Sequence, residues 1–137
     1  MKPMRIHHVG VVLPDRESVR AVMDLLGLEV DYCGFVEAYN ADLIFTRHGP
    51  QESPIEFIIP RGGVLADYNN GKGGIAHIAF EVDDVEAVRE EMEARGLQML
   101  EKKAVQGTDD IVVNFLRPRH SQGILFEFVQ TVAPIKR

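Results

Sequence analysis

Four residues of this sequence could do chemistry together: two histidines and two glutamates, each set inside a short, apolar, β-rich run. His8 lies in Ile6-His7-His8-Val9-Gly10-Val11-Val12-Leu13 and His77 in Ile75-Ala76-His77-Ile78-Ala79-Phe80-Glu81-Val82. Glu56 interrupts Ile55-Glu56-Phe57-Ile58-Ile59, and Glu127 interrupts Leu125-Phe126-Glu127-Phe128-Val129. Side chains alternate across a strand, so His8 shares a face with Ile6, Gly10 and Val12, and His77 with Ile75, Ala79 and Glu81. Gly10 and Ala79 are small and leave room beside each imidazole. A carboxylate within such a run is costly to bury unless something cationic meets it. Taken singly, a strand histidine is more often a hydrogen-bonded core or edge residue, and a strand glutamate usually faces solvent. Two imidazoles and two carboxylates meeting on one axis would instead form a mixed nitrogen–oxygen site for a divalent cation.

What joins the four is an internal repeat. The run around His8 lies over the run around His77 at an offset of 69 residues. The match continues without a gap: Asp15 over Asp84, Glu17 over Glu86, Val19-Arg20 over Val88-Arg89, Met23 over Met92, and Gly27-Leu28 over Gly96-Leu97. Glu56-Phe57-Ile58 then lies over Glu127-Phe128-Val129 at an offset of 71. His8/His77 and Glu56/Glu127 are therefore two related pairs, which approximate two-fold symmetry would bring together.

The elements that must position them read alike in both copies. After each histidine strand the spacing predicts a helix. Asp15 follows Pro14 as an N-cap, Asp83-x-x-Glu86 has capping-box form, and Val19, Val22, Met23 and Leu26 trace one buried face. Val85, Val88 and Met92 do the same in the second copy. Gly27 and Gly96 stand where a helix end favours positive φ. Further strands are expected at about 28–33, 41–47 and 55–60, then at about 98–104, 111–117 and 124–130. Residues 61–74 form a linker with a short helical turn near 64–68. The predicted fold class is α+β: two tandem βαβββ modules, about 5–60 and 75–132, in a single domain. They pair into an open, eight-stranded curved sheet with helices outside.

Composition narrows the function. The chain has 137 residues, 45% hydrophobic and 26% charged, with 15 basic against 21 acidic side chains for a net charge of −6. That is one ordinary soluble domain without the basic footprint that nucleic acid demands. No apolar run reaches the length of a membrane span, and Met-Lys-Pro-Met-Arg at the start does not read as a secretory signal. The lone cysteine, Cys33, cannot form an internal disulfide and is expected as a small buried or half-buried hydrophobe. A cytoplasmic setting is expected.

With these residues in view, the chain resembles the vicinal oxygen chelate superfamily, the glyoxalase, extradiol dioxygenase and bleomycin-resistance group. Within it the chain looks most like the methylmalonyl-CoA epimerases. The resemblance spans residues 5–131 and rests most on 75–84, on Asn114-Phe115-Leu116-Arg117-Pro118 through Gly123-Ile124-Leu125-Phe126-Glu127, and on Ile55-Glu56-Phe57-Ile58-Ile59-Pro60. It implies the glyoxalase-like fold. It also implies one divalent metal ion (cobalt, nickel, manganese, iron or zinc) held by His8, Glu56, His77 and Glu127. The implied activity is epimerisation of a malonyl-type CoA thioester through a metal-stabilised enolate, with Glu127 as first proton-transfer candidate. The family's further glutamate, in a Glu-Gln-Gly-Val-like stretch, has no direct match. Here the region reads Val36-Glu37-Ala38-Tyr39-Asn40-Ala41, and Glu37 is the nearby carboxylate.

Lys72, Arg117, Arg119 and His120 are candidate contacts for a CoA ligand; His7 and His48 read as structural or exposed. A homodimer is expected. The alternatives are a glyoxalase I-like lyase on a glutathione or other α-hydroxycarbonyl adduct and a non-enzymatic binding or resistance protein.

Overall fold

The repeat in the sequence becomes a repeat in the backbone, and its clearest expression is how the two helices end. The computed structural model describes residues 4–108 and 111–132. Helix α1 spans Arg16–Leu26 and helix α2 spans Val85–Ala94. After α1, Gly27 takes φ +66°, its N–H points to Asp24 O, and Leu28 N–H bonds Met23 O at 2.9 Å. After α2, Gly96 takes φ +79°, its N–H bonds Glu93 O, and Leu97 N–H bonds Met92 O, also at 2.9 Å. Both are the glycine-terminated, doubly bonded helix stop that a positive-φ residue permits. Leu28 folds back into the packing under α1. Leu26, expected on the buried face, is instead 58% exposed. The residue after the glycine has taken its place.

The helix starts agree less closely with expectation. Asp15 caps α1, its carboxylate accepting Ser18 N–H at 2.8 Å, and this hydrogen bond holds its carboxyl below the ordinary aspartate range. In the second repeat the cap is Asp84, not Asp83. Its side chain accepts both Glu86 N–H and Ala87 N–H. That frees Glu86, predicted to close a capping box, for other partners.

Two compact units account for the chain, one spanning His8–Ala76 and the other His77 onward with the residues before His8. The first contains most of β1 (Ile6–Val12), then α1, β2 (Val30–Val36), β3 (Ala41–Thr46) and β4 (Ile55–Pro60). Its strands lie in the order β2-β3-β4-β1. β1 and β4 run parallel, and the other neighbours are antiparallel. Val19 and Met23 of α1 pack on Ile44, Phe57 and Ile59, while the opposite sheet face gathers Val12, Val36, Ala41, Leu43, Phe45 and Ile58. A 3₁₀ segment over Val64–Gly71, longer than the predicted turn, leads out of the unit. Cys33 is exposed rather than buried. It sits on edge strand β2, where it pairs with buried Ile44.

The second unit has β5 (Gly74–Glu81, which starts in the first unit), α2, β6 (Val105–Gln106), β7 (Ile111–Leu116) and β8 (Phe126–Thr131). Its order is β5-β8-β7-β6, with β5 and β8 parallel. The strand expected at 98–104 is not formed. Only β6 and a single bridge between Met99 and Leu116 remain. Side chains stand in for the ladder there. Buried Asn114 accepts Glu101 N–H and donates to Glu101 O, both at 3.1 Å. Glu86 accepts Ala104 N–H at 2.7 Å and pairs with Arg89. These contacts, the Ala104 hydrogen bond first, keep the Glu86 carboxyl below its ordinary pKa. No helix among the described residues is long and apolar enough to cross a membrane.

Candidate metal centre

Strand pleat and register place the first pair. Glu56 of β4 is level with Gly10 of β1 on one side and with Phe45 of β3 on the other. His8 lies two residues before Gly10 and so projects from the same face. His8 Nε2 and Glu56 Oε1 come to 3.3 Å. The glycine keeps the space beside Glu56 open to the imidazole. From the other side the Phe45 ring reaches past β4 and meets the His8 ring edge-on, with centroids 5.3 Å apart.

The second unit repeats this residue for residue. Glu127 of β8 is level with Ala79 of β5 and with Phe115 of β7. His77 Nε2 and Glu127 Oε1 lie 3.2 Å apart, and the Phe115 ring meets His77 edge-on at 5.6 Å. His8 is 1% exposed and the other three polar residues 6%. Buried apolar residues share these faces: Val12, Leu43 and Ile58 in one unit, Val113 and Val129 in the other. Sequence reasoning missed Phe45 and Phe115. The signal was present, since they correspond at an offset of 70, between the histidine and glutamate offsets.

The donor set suits a divalent cation. Two ligand atoms each about 2.1 Å from one ion, at tetrahedral or octahedral angles, lie about 3.0–3.4 Å apart. Both imidazole–carboxylate pairs are held at that spacing. A nitrogen and an oxygen from each pair match the borderline ions of the first transition row.

The other candidates stand apart. Glu37 is exposed on a 3₁₀ turn over Glu37–Tyr39. That turn adjoins the Val36–Ala41 end of the β2–β3 pair, while Glu56 is level with Phe45. The stretch from Ala41 to Phe45 separates the two levels along β3. Lys72 is exposed at the end of the 3₁₀ segment. Arg117 is half-buried, and Arg119 donates to Gln98 Oε1 at 2.8 Å. His120 Nε2 accepts Gln98 N–H at 3.1 Å, a contact that holds the ring against the 98–100 segment. His48 is exposed, with Nδ1 bonded to Gly49 O, and His7 is half-buried.

Against this geometry the comparisons with known proteins agree. Residues 7–115 match the Glyoxalase/Bleomycin resistance protein/Dioxygenase superfamily. The chain is 30% identical over 132 residues to the ethylmalonyl-CoA/methylmalonyl-CoA epimerase of Cereibacter sphaeroides, covering 92% of this chain and 97% of that one. It is 26% identical over 129 residues to the human mitochondrial methylmalonyl-CoA epimerase, covering 92% and 73% of the two chains. Among solved structures it superposes on a Streptomyces coelicolor methylmalonyl-CoA epimerase variant in complex with 2-nitronate-propionyl-CoA. The TM-score is 0.86 at 23% identity, over 96% of this chain and all of the other. That likeness bears out the expected α+β fold of two βαβββ repeats. The chain belongs to the Glyoxalase/Bleomycin resistance protein/Dioxygenase superfamily, and the relatives it resembles over nearly its whole length are methylmalonyl-CoA epimerases.

Proposed function

We propose that this protein is a divalent-metal-dependent epimerase acting at the α-carbon of a methylmalonyl-CoA-type thioester. The observation that carries the reading is the doubled, buried imidazole–carboxylate pair in a chain whose relatives bear that activity in their names. In this proposal His8, Glu56, His77 and Glu127 hold one cation. When bound, it supplies Lewis-acid stabilisation of the negative charge that grows on the thioester carbonyl as the α-proton leaves.

The chain's own residues do the rest. Glu127 removes the α-proton: it is a buried carboxylate beside His77, and Val113, Val129 and Phe115 around it exclude water from the transfer. Epimerisation also needs a proton returned to the opposite face. Glu37 enters only as a solvent-side candidate for that return. Arg117 and Lys72 remain the candidate contacts for the CoA phosphates, whereas His120 is withdrawn because Gln98 occupies its Nε2.

The test is incubation with methylmalonyl-CoA in deuterated water. The metal-loaded protein should wash deuterium into the α-position, and Glu127→Gln should slow this by about 10²–10⁴-fold, the usual contribution of a general base. No exchange by the loaded wild-type protein would refute the proposal.

A further inference from the structure

We infer that Phe45 and Phe115 are positioning residues for the two metal-binding imidazoles, each phenyl ring fixing the orientation of the histidine supplied by its own unit. The inference rests on the metal reading above and concerns how the ligands are held. Each ring meets its histidine nearly perpendicularly, at 81° for Phe45 and 89° for Phe115. Such edge-to-face contact is the preferred arrangement of aromatic pairs. Each comes from the strand on the far side of the ligand glutamate and is level with it. The imidazole is thereby confined with Nε2 toward the carboxylate.

Simple space-filling does not explain the pair. At the surrounding positions of the same faces the two units differ freely: Leu43 against Val113, Ile58 against Val129, Ala41 against Ile111. On these faces the residue in contact with the histidine is a phenyl ring in both units; Phe57 and Phe128, also alike, pack on the helix-side faces instead. A histidine ring can turn about its Cβ–Cγ bond and put a ring carbon where Nε2 stood. A ligand free to do so must be ordered when the metal binds, which costs affinity. Groups bonded to a ligand histidine tune affinity by about 10–100-fold, and a ring that fixes the same orientation by packing belongs at the lower end of that range. In the first unit Tyr32 stacks on Phe45 at 5.0 Å and extends the support.

The experiment is Co²⁺ titration of the metal-stripped protein against a chromophoric competitor, with the visible spectrum of bound Co²⁺ recorded. Phe45→Leu and Phe115→Leu should each weaken binding about tenfold and alter the Co²⁺ bands. Phe80→Leu makes the same change in the core beneath α2 and should leave affinity within about twofold. Affinities for Phe45→Leu and Phe115→Leu within about twofold of wild type, while His8→Ala loses binding, would overturn the inference and leave the metal reading standing. Failure of the wild-type protein to bind Co²⁺ would overturn both. Should a leucine variant not fold, the unaltered metal-free protein supplies the answer by nuclear magnetic resonance. Each of His8 and His77 should show one ring orientation with cross-relaxation to its phenyl ring. Two interchanging orientations would refute the inference.

Discussion

Gly73→Ala offers the sharpest test of the packing that positions His8. Gly73 has φ +74°, and a Cβ built there would lie 2.0 Å from Val12 O, 2.8 Å from Val12 C and 3.3 Å from Leu13 Cα. All three are backbone atoms of the end of β1, so no side-chain rotation relieves the clash. Gly96 has nearly the same φ, +79°, but nothing lies within 4 Å of its Cβ position. The two substitutions therefore share the left-handed backbone cost and differ only in space. That shared cost is about 1–2 kcal/mol, offset in part by the lower entropy of an unfolded chain carrying alanine, leaving about 1 kcal/mol. At Gly73 the β1 end must also retreat by more than 1 Å. This strains the Leu13 N–H bond to Ile58 O, 3.0 Å long, and unpacks Val12, which is 2% exposed. A lost backbone bond at about 1 kcal/mol and core disturbance of about 1–3 kcal/mol bring the total to about 3–5 kcal/mol. In urea, with a slope of about 1.5 kcal/mol per molar, Gly96→Ala should shift the midpoint down by about 0.7 M and Gly73→Ala by about 2–3 M. Equal shifts for the two variants would show that β1 does not press against Gly73, and the reasoning would fall.

Asp84→Ala should cost about 1 kcal/mol by removing the α2 cap, read as a lower urea midpoint. An unchanged midpoint would return the cap to Asp83. The Glu86 carboxyl titrates below its ordinary 4.5, first because it accepts Ala104 N–H and then because of Arg89. Its stabilising contribution is therefore complete above that ordinary value and is lost as pH falls through the lowered one. Glu86→Gln should flatten the acid limb of the stability–pH curve below about pH 4.5, and an identical limb would contradict the assignment. Glu56→Gln keeps a hydrogen-bonding group beside His8 but removes a buried charge. Metal-free melting temperature should hold or rise while Co²⁺ affinity falls at least about tenfold. A variant that binds Co²⁺ like wild type would remove Glu56 from the ligand set.

Periodicity and repeat carried much of this protein into view before any coordinates. The strand pleat put His8 and Gly10 on one face, and the doubled motif singled out Glu56 and Glu127; both inferences need only the two-residue period of a strand. What escaped was whatever side chains decide by bonding to backbone. The 98–104 segment stands where the first repeat has β2. Its ladder positions are satisfied by Asn114 and Glu86, though, and no periodicity reveals a distant side chain acting as a strand partner. The capping box failed for a related reason: Glu86 was committed to Ala104. Cys33 was expected at least half-buried because a free cysteine behaves as a small hydrophobe, yet burial on an edge strand depends on what lies beyond the edge. The phenyl rings on His8 and His77 escaped because a phenylalanine in a core strand is by its type an ordinary packing residue.

The doubling itself argues against reading the pairs as structural. A buried imidazole–carboxylate contact recovers little of what burial costs, and apolar residues of similar volume commonly serve stability as well or better. Were packing the only demand on these faces, each unit would be free to settle the question alone, as the Leu43/Val113 and Ile58/Val129 positions have done. Yet both units retain the costly pair, at matching register, with a small residue on one side and a phenyl ring on the other. A requirement imposed twice in the same form, against the local interest of the fold, is what a demand for metal donors, rather than for packing, would leave in each unit.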